Sequence, residues 1–159
     1  MAVVSSSIHI GVAADTVFAY LIDVERHVEW SGRLSFGLER VEKVTPGPLR
    51  AGSVFKSMSR LSSRSGAEDA STVAVIEPAR RLAWETVSSG PQWRNTFRWA
   101  YTLEPEDNGT RLTYTLEARR FSPKPLRLWF PPLLWLVDRQ IFGREMAGGL
   151  QRIKGALEG

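Results

Sequence analysis

Cysteine is absent from the 159 residues, which removes disulfide frameworks, thiolate metal sites and cysteine nucleophiles together. Histidine occurs only at His9 and His27, in unrelated places, so a zinc site is not expected and no metal or other cofactor is assigned. Long apolar runs are missing too. The most apolar stretch, Leu126 to Val137, is broken by Pro131-Pro132 and falls well short of the roughly 20 residues that cross a bilayer. Met1 to Ile10 has no basic segment followed by an apolar one, so no secretory leader is expected, and the default compartment is the cytoplasm. GxSxG, Walker and GxGxxG motifs are absent, and Gly148-Gly149 falls in a helical stretch rather than after a strand, which withdraws support from esterase, nucleotide-binding and redox readings. Lysine runs are lacking as well. The net charge of +4 and pI near 9.8 come from scattered arginines, the pattern of a mildly basic solvated surface, and no nucleic-acid partner is expected.

What is present is enough chain for one domain over residues 1–159 with a core, or a core with a cavity in it. Ile8 and Ile10 alternate with Ser7 and His9, a strand's period of two within Val3 to Ile10. Val17, Phe18, Leu21 and Ile22 then recur at helical spacing between Ala14 and Ile22, with Asp15 near the helix start. A second short helix through Arg26, Val28 and Trp30 is expected, capped by Asp23 and ended by Ser31-Gly32.

From Phe36 to Leu116 strand-forming residues dominate, punctuated by Pro46-Gly47-Pro48, Gly52, Gly66, Pro78, Gly90-Pro91 and Asp107-Asn108-Gly109. These breaks delimit strands at Leu38 to Thr45, Val54 to Arg60, Ala70 to Ile76, Arg81 to Val87, Asn95 to Glu104 and Thr110 to Arg119. Phe97, Trp99, Tyr101 and Leu103 share one face of the fifth of these strands, and Leu112, Tyr114 and Leu116 one face of the sixth. Asp107-Asn108-Gly109 joins the two as a hairpin. After Pro123 and Pro125 a short lead-in precedes a long helix from Pro132 onward, with Leu136, Ile141, Leu150, Ile153 and Leu157 as its apolar stripe and Arg139, Arg144, Arg152 and Lys154 turned away. Gly143 and Gly148-Gly149 weaken this helix or let its backbone approach the sheet.

Strand, two short helices, six strands and one long helix is a segregated order. It predicts α+β, with an antiparallel sheet of about seven strands whose one face is covered by the C-terminal helix. Large rings on that face hold sheet and helix apart, as pockets for small molecules require.

Four segments in this order carry a family resemblance: IHIGVAADTVFAYLIDVERHVEW (Ile8 to Trp30), EPARRLAWE (Glu77 to Glu85), EPEDNGTRLTYTLE (Glu104 to Glu117) and LQRIKGALE (Leu150 to Glu158). Together they resemble the START/Bet v 1-like superfamily, the polyketide cyclase/dehydrase and lipid-transport (SRPBCC) group. The resemblance implies a helix-grip fold, a curved sheet wrapped around the C-terminal helix, with a hydrophobic cavity between them. Ala14 stands where many relatives have proline, and the Pro131-Pro132 break lengthens the approach to the last helix.

The resemblance and the parity of the rings together nominate Trp30, Phe55, Trp84, Phe97, Trp99, Tyr101, Tyr114, Trp135 and Phe142 as ligand-binding residues, with Trp30 and Trp135 expected near the cavity entrance. Tyr101 and Tyr114 are the polar handles, since each joins a large apolar body to a hydroxyl. Asn95, Thr86 and Arg120 share the inward parity and either orient a polar head or sit at wet strand ends. Both histidines are expected at the surface, and no catalytic residue is assigned. The expected function is binding of an apolar lipid, polyketide or aromatic molecule by a monomer or homodimer. A cyclase/dehydrase-like enzyme using the same cavity is the alternative, and it requires a polar cluster at the cavity floor. An interaction module of the Hsp90-activator type is a third, resting on an exposed apolar patch at Trp129 to Leu133, and peripheral membrane contact through Leu126 to Val137 stays open.

Overall fold

The computed structural model describes residues 3–32, 37–122 and 131–159, with side chains described for all of these but 61, 121–122 and 131–138. Strand β1 (Val3–Ile10) leads into helix α1 (Ala14–Leu21), a 3₁₀ turn (Val24–Arg26) and the single-turn helix α2 (His27–Trp30). Strands β2 (Leu38–Lys43) and β3 (Val54–Ser59), helix α3 (Arg60–Ser65), strands β4 (Glu68–Glu77), β5 (Arg81–Gly90), β6 (Trp93–Glu106) and β7 (Gly109–Ser122), and helix α4 (Pro131–Glu158) follow. The seven strands form one curved antiparallel sheet in the order β1-β7-β6-β5-β4-β3-β2. The expected α+β helix-grip architecture is the observed one.

Because β1 and β2 lie at opposite edges of the sheet, the chain must cross its width between them, and α1, the 3₁₀ turn and α2 make that crossing. Helix α4 packs against β1, β7 and α2. Its inward residues are Phe142, Met146, Leu150, Ile153 and Leu157, which recur every three or four positions. Ile141, expected in the stripe, is 43% exposed. Arg152, expected outside, donates through Nε and Nη2 to the Trp30 carbonyl at 3.0 and 2.8 Å. Lys154 likewise reaches the His9 carbonyl at 2.7 Å, and Glu158 accepts from the Gly11 amide. The proline pair opens α4, where missing amide donors cost least, while Leu126 to Phe130 lie outside the described residues.

Helix α3 is the element that the sequence pattern did not announce. Strand β3 stops at Ser59, whose hydroxyl accepts from the Ser62 amide while the Ser62 hydroxyl accepts from the Ser59 amide, a reciprocal cap. Gly66, at φ 65°, closes the helix in a left-handed conformation that costs glycine little. By contrast, Asp23 occupies the N-cap position of the 3₁₀ turn without making a side-chain cap. The strands run longer than their apolar cores suggested, since ladder pairing extends through polar ends such as Ser88, Ser89 and Arg94.

The close approach allowed by glycine falls at Gly149, where an added Cβ would lie 3.0 Å from the Trp30 carbonyl oxygen. At Gly155 an added Cβ would meet nothing within 4 Å. Gly149→Ala is therefore expected to cost about 1–3 kcal/mol by forcing α4 off α2. Gly155→Ala should raise stability by up to about 1 kcal/mol through helix propensity alone. Denaturant melts of the two variants check the pair, and equal effects would contradict the packing described.

Candidate functional site

The register of the ladder sets out the concave face of the sheet in rows, because directly paired residues project to the same side. Leu82, Tyr101, Tyr114 and Ser6 form one row, and the next comprises Val73, Trp84, Trp99, Leu116 and Val4. Beyond it come Phe55, Ser71, Thr86, Phe97 and Ala118, and then Ser57, Asp69, Ser88 and Asn95. The face thus grades from apolar and aromatic to polar along the strands. A cavity of about 330 Å³ lies between these rows, α2, α3 and the Phe142 to Gly149 side of α4.

Eight of the nine nominated residues line this cavity: Trp30, Phe55, Trp84, Phe97, Trp99, Tyr101, Tyr114 and Phe142. The side chain of Trp135, the ninth, lies outside the described residues. Trp84 stacks on Trp99 with ring centres 6.5 Å apart, Trp99 on Tyr114 at 6.0 Å, and Tyr114 on Tyr101 at 4.3 Å. Trp30, Phe55, Trp84 and Tyr101 are buried and form the back wall. Phe97, Trp99, Tyr114 and Phe142 remain partly accessible, which on a concave covered face means that they border open space. Trp30, at 3% exposure, is no entrance residue. Its indole Nε1–H donates to the Tyr101 hydroxyl at 3.0 Å.

Tyr101 and Tyr114 are the two phenols of the site. Burial, the dominant cause, pushes both well above the ordinary tyrosine range, and they remain neutral donors at any physiological pH. Trp30 only donates, so its bond to Tyr101 does not use the Tyr101 hydroxyl proton.

His27 departs from the surface position expected of it. It is 4% exposed, lines the cavity, and sits between Trp30 and Trp84 with ring centres 4.7 and 5.4 Å away. Its Nε2 is 2.8 Å from the Leu21 carbonyl, which can only accept, so the proton resides on Nε2. Burial lowers its pKa from 6.5 to about 4, and the Leu21 hydrogen bond and Asp23 offset only part of that. The charged flanks Glu25, Arg26 and Glu29 suggested a wet helix, but a one-turn helix exposes two faces and buries a third. His9 is exposed, beside Glu106.

Arg120 is the other misplaced residue. Thr96 pairs with Arg120 but Phe97 pairs with Ala118, so Arg119 is the extra residue of a β-bulge. The bulge puts Arg120 on the face of Thr96, opposite to Asn95, and no alternation rule sees it. Thr86 and Asn95 do face the cavity. The hydroxyl-rich end, with Ser57, Ser59, Ser62, Ser65 and Ser71 on three elements, went unread because no serine stands out alone. The detectable signal was the common parity of Ser57, Ser59 and Ser71 at the same end of adjacent strands. Among the described residues no three of His, Asp and Glu gather to hold a metal ion.

Neutral His27 carries a pH dependence whose sign follows from its lowered pKa. The unfolded chain takes up a proton near pH 6.5 that the folded chain refuses until about pH 4, so stability is complete above 6.5 and declines as pH falls through this window. The loss expected by pH 4 is on the order of 3 kcal/mol. Urea midpoints measured across that range should fall, and His27→Gln should flatten the fall; an unchanged slope would contradict a buried neutral imidazole.

No curated protein matches this sequence, whereas solved structures align with it at low identity. DynU16, a protein of the dynemicin biosynthetic locus, aligns at TM-score 0.64 and 16% identity over 99% of this chain and 48% of its own, so the chain spans about half of DynU16. A START superfamily protein from Mycobacterium smegmatis aligns at TM-score 0.64 and 13% identity, covering 99% of this chain and 98% of its own. The Aha1 dimer from Colwellia psychrerythraea aligns at 0.60 and 15%, covering 99% and 97%. At such identities the likeness establishes the fold alone. A family model described as polyketide cyclase / dehydrase and lipid transport matches residues 1–158, and the chain belongs to this family, within the START/Bet v 1-like superfamily that its sequence resembles.

Proposed function

We propose that this protein binds a small, largely apolar molecule between the sheet and α4, with Trp99, Tyr114, Phe97 and Phe142 as its principal contacts. The observation that carries the reading is the partial exposure of these rings on a face that the helix covers. A volume of about 330 Å³ lies within the usual range for small-molecule pockets. An occupant burying roughly 200 Å² of apolar surface would gain about 5 kcal/mol before the costs of association. The Trp30–Tyr101 hydrogen bond and the Tyr101–Tyr114 ring stack fix the floor, so little ordering is left to be done on binding.

The Tyr101 hydroxyl proton, which the Trp30 bond does not use, favours one second reading, a cyclase/dehydrase-like reaction in the same cavity, because a fixed neutral donor can hold a carbonyl oxygen as it gains charge. An adaptor of the Hsp90-activator kind has less support. The Aha1 likeness is one of fold, and the patch invoked for it, Trp129 to Leu133, falls on residues whose side chains are not described.

Native mass spectrometry of the purified protein, with tryptophan fluorescence titrated against fatty alcohols, flavonoids and aromatic polyketides, tests the reading. A co-purified or quenching ligand is expected, and the same spectra distinguish monomer from homodimer. Trp99→Ala should weaken binding at least about tenfold. It should also cost less than the roughly 3–5 kcal/mol of a close-packed tryptophan. An empty, unresponsive protein would overturn the reading.

A further inference from the structure

The polar end of the cavity is of two kinds. Ser71 and Thr86 bond each other at 2.7 Å and are self-sufficient. In the adjacent row Ser57, Asp69, Ser88 and Asn95 line the cavity, and among the described residues none of the four side chains has a hydrogen-bond or ion-pair partner. Asp69 stands out, since it is only 9% exposed, an environment in which carboxylates are ordinarily paired. No fully buried side-chain oxygen among the described residues lacks a partner. The unpartnered oxygens of Asp69 must therefore open onto the cavity itself.

The charge of the lining has one sign. Its described residues include no lysine or arginine, although the whole chain carries a net +4. His27 is held neutral by burial, and the only other carboxylate, Glu145, is engaged in contacts of its own. Ser88 and Trp84 are four residues apart on β5, about 13 Å along an extended strand.

We propose, building on the cavity reading above, that the ligand is amphipathic and oriented, with an aromatic or aliphatic body on the Trp84–Trp99–Tyr114 stack and a non-anionic, hydrogen-bond-donating head, hydroxyl or amine, on Asp69, Ser57 and Ser88. A carboxylate or phosphate head would meet a like charge in a poorly solvated space with no lysine or arginine among the described lining residues to offset it. An ammonium or hydroxyl supplies a donor to the Asp69 carboxylate, which can only accept, while Ser57 and Ser88 can accept from the same head.

Isothermal titration calorimetry with 6-phenylhexylamine, 6-phenyl-1-hexanol and 6-phenylhexanoate, alike in body and differing in head, tests this at neutral pH. The amine should bind at least about tenfold more tightly than the carboxylate, with the alcohol between them. Asp69→Asn, close in shape, should shrink the amine-to-carboxylate gap about tenfold and leave the alcohol within about threefold. A carboxylate bound as well as the amine by the wild-type protein overturns the proposal, whatever the variant does, and so does a gap that Asp69→Asn leaves unchanged. Equal binding of all three would leave the cavity reading standing and remove only the head-group assignment. Binding of none, with tryptophan fluorescence unmoved, would remove both.

Discussion

Trp30 joins three parts of the fold at one point. Its indole N–H is bonded to Tyr101 on β6, its carbonyl receives the Arg152 guanidinium from α4, and its ring lies against Tyr20 of α1 at 4.8 Å. Gly149 permits the closest approach of α4 to this point. Were Trp30 absent, the sheet-crossing helices, β6 and the covering helix would lose their common anchor beside the Trp84–Trp99–Tyr114 stack. The cavity is the space left between sheet and helix. Pinned at one end and propped by stacked rings along the sheet, the two layers cannot collapse onto each other without breaking buried hydrogen bonds.

The interior and exterior of the sheet are electrically unlike. Arg98 and Glu85 stand opposite each other in the register of the outward face, Arg111 bonds Glu106 at the rim, and the Ser5 and Ser7 hydroxyls bond those of Thr115 and Thr113 on the convex side of β1. The alternation of strands sorts these groups outward and the rings inward. Basic surface charge is therefore no guide to what the interior accepts. In the described lining the polar groups are hydroxyls, an amide, neutral phenols, a neutral imidazole and carboxylates, a set in which the only formal charge is negative.

Local periodicity made much of this architecture legible. Alternation on β6 and β7 placed Phe97, Trp99, Tyr101 and Tyr114 on one face, and the segregated order of elements called for a helix over that face. Short-range rules missed α3, whose reciprocal serine cap reads as a strand end followed by a turn until Gly66 is seen as its C-terminal stop. The stripe on α4 was misread because leucine and isoleucine were counted while Phe142 and Met146 were not, and because Arg152 has a carbonyl to reach for.

The sequence by itself determined the order of elements, the parity of the strands and the bulk of the inward rings, since these depend on spacing along the chain and on side-chain volume. Only the tertiary structure decided the burial of His27, the outward turn of Arg120 and the gathering of Ser57, Asp69 and Ser88 at one end of a cavity. Each of those follows from contacts between distant segments: a one-turn helix pressed on a sheet, a single extra residue in a ladder, and a register that aligns three strands. No pattern within one segment records which neighbour it will meet, and it is the neighbour that fixes dielectric, charge and hydrogen-bond partners.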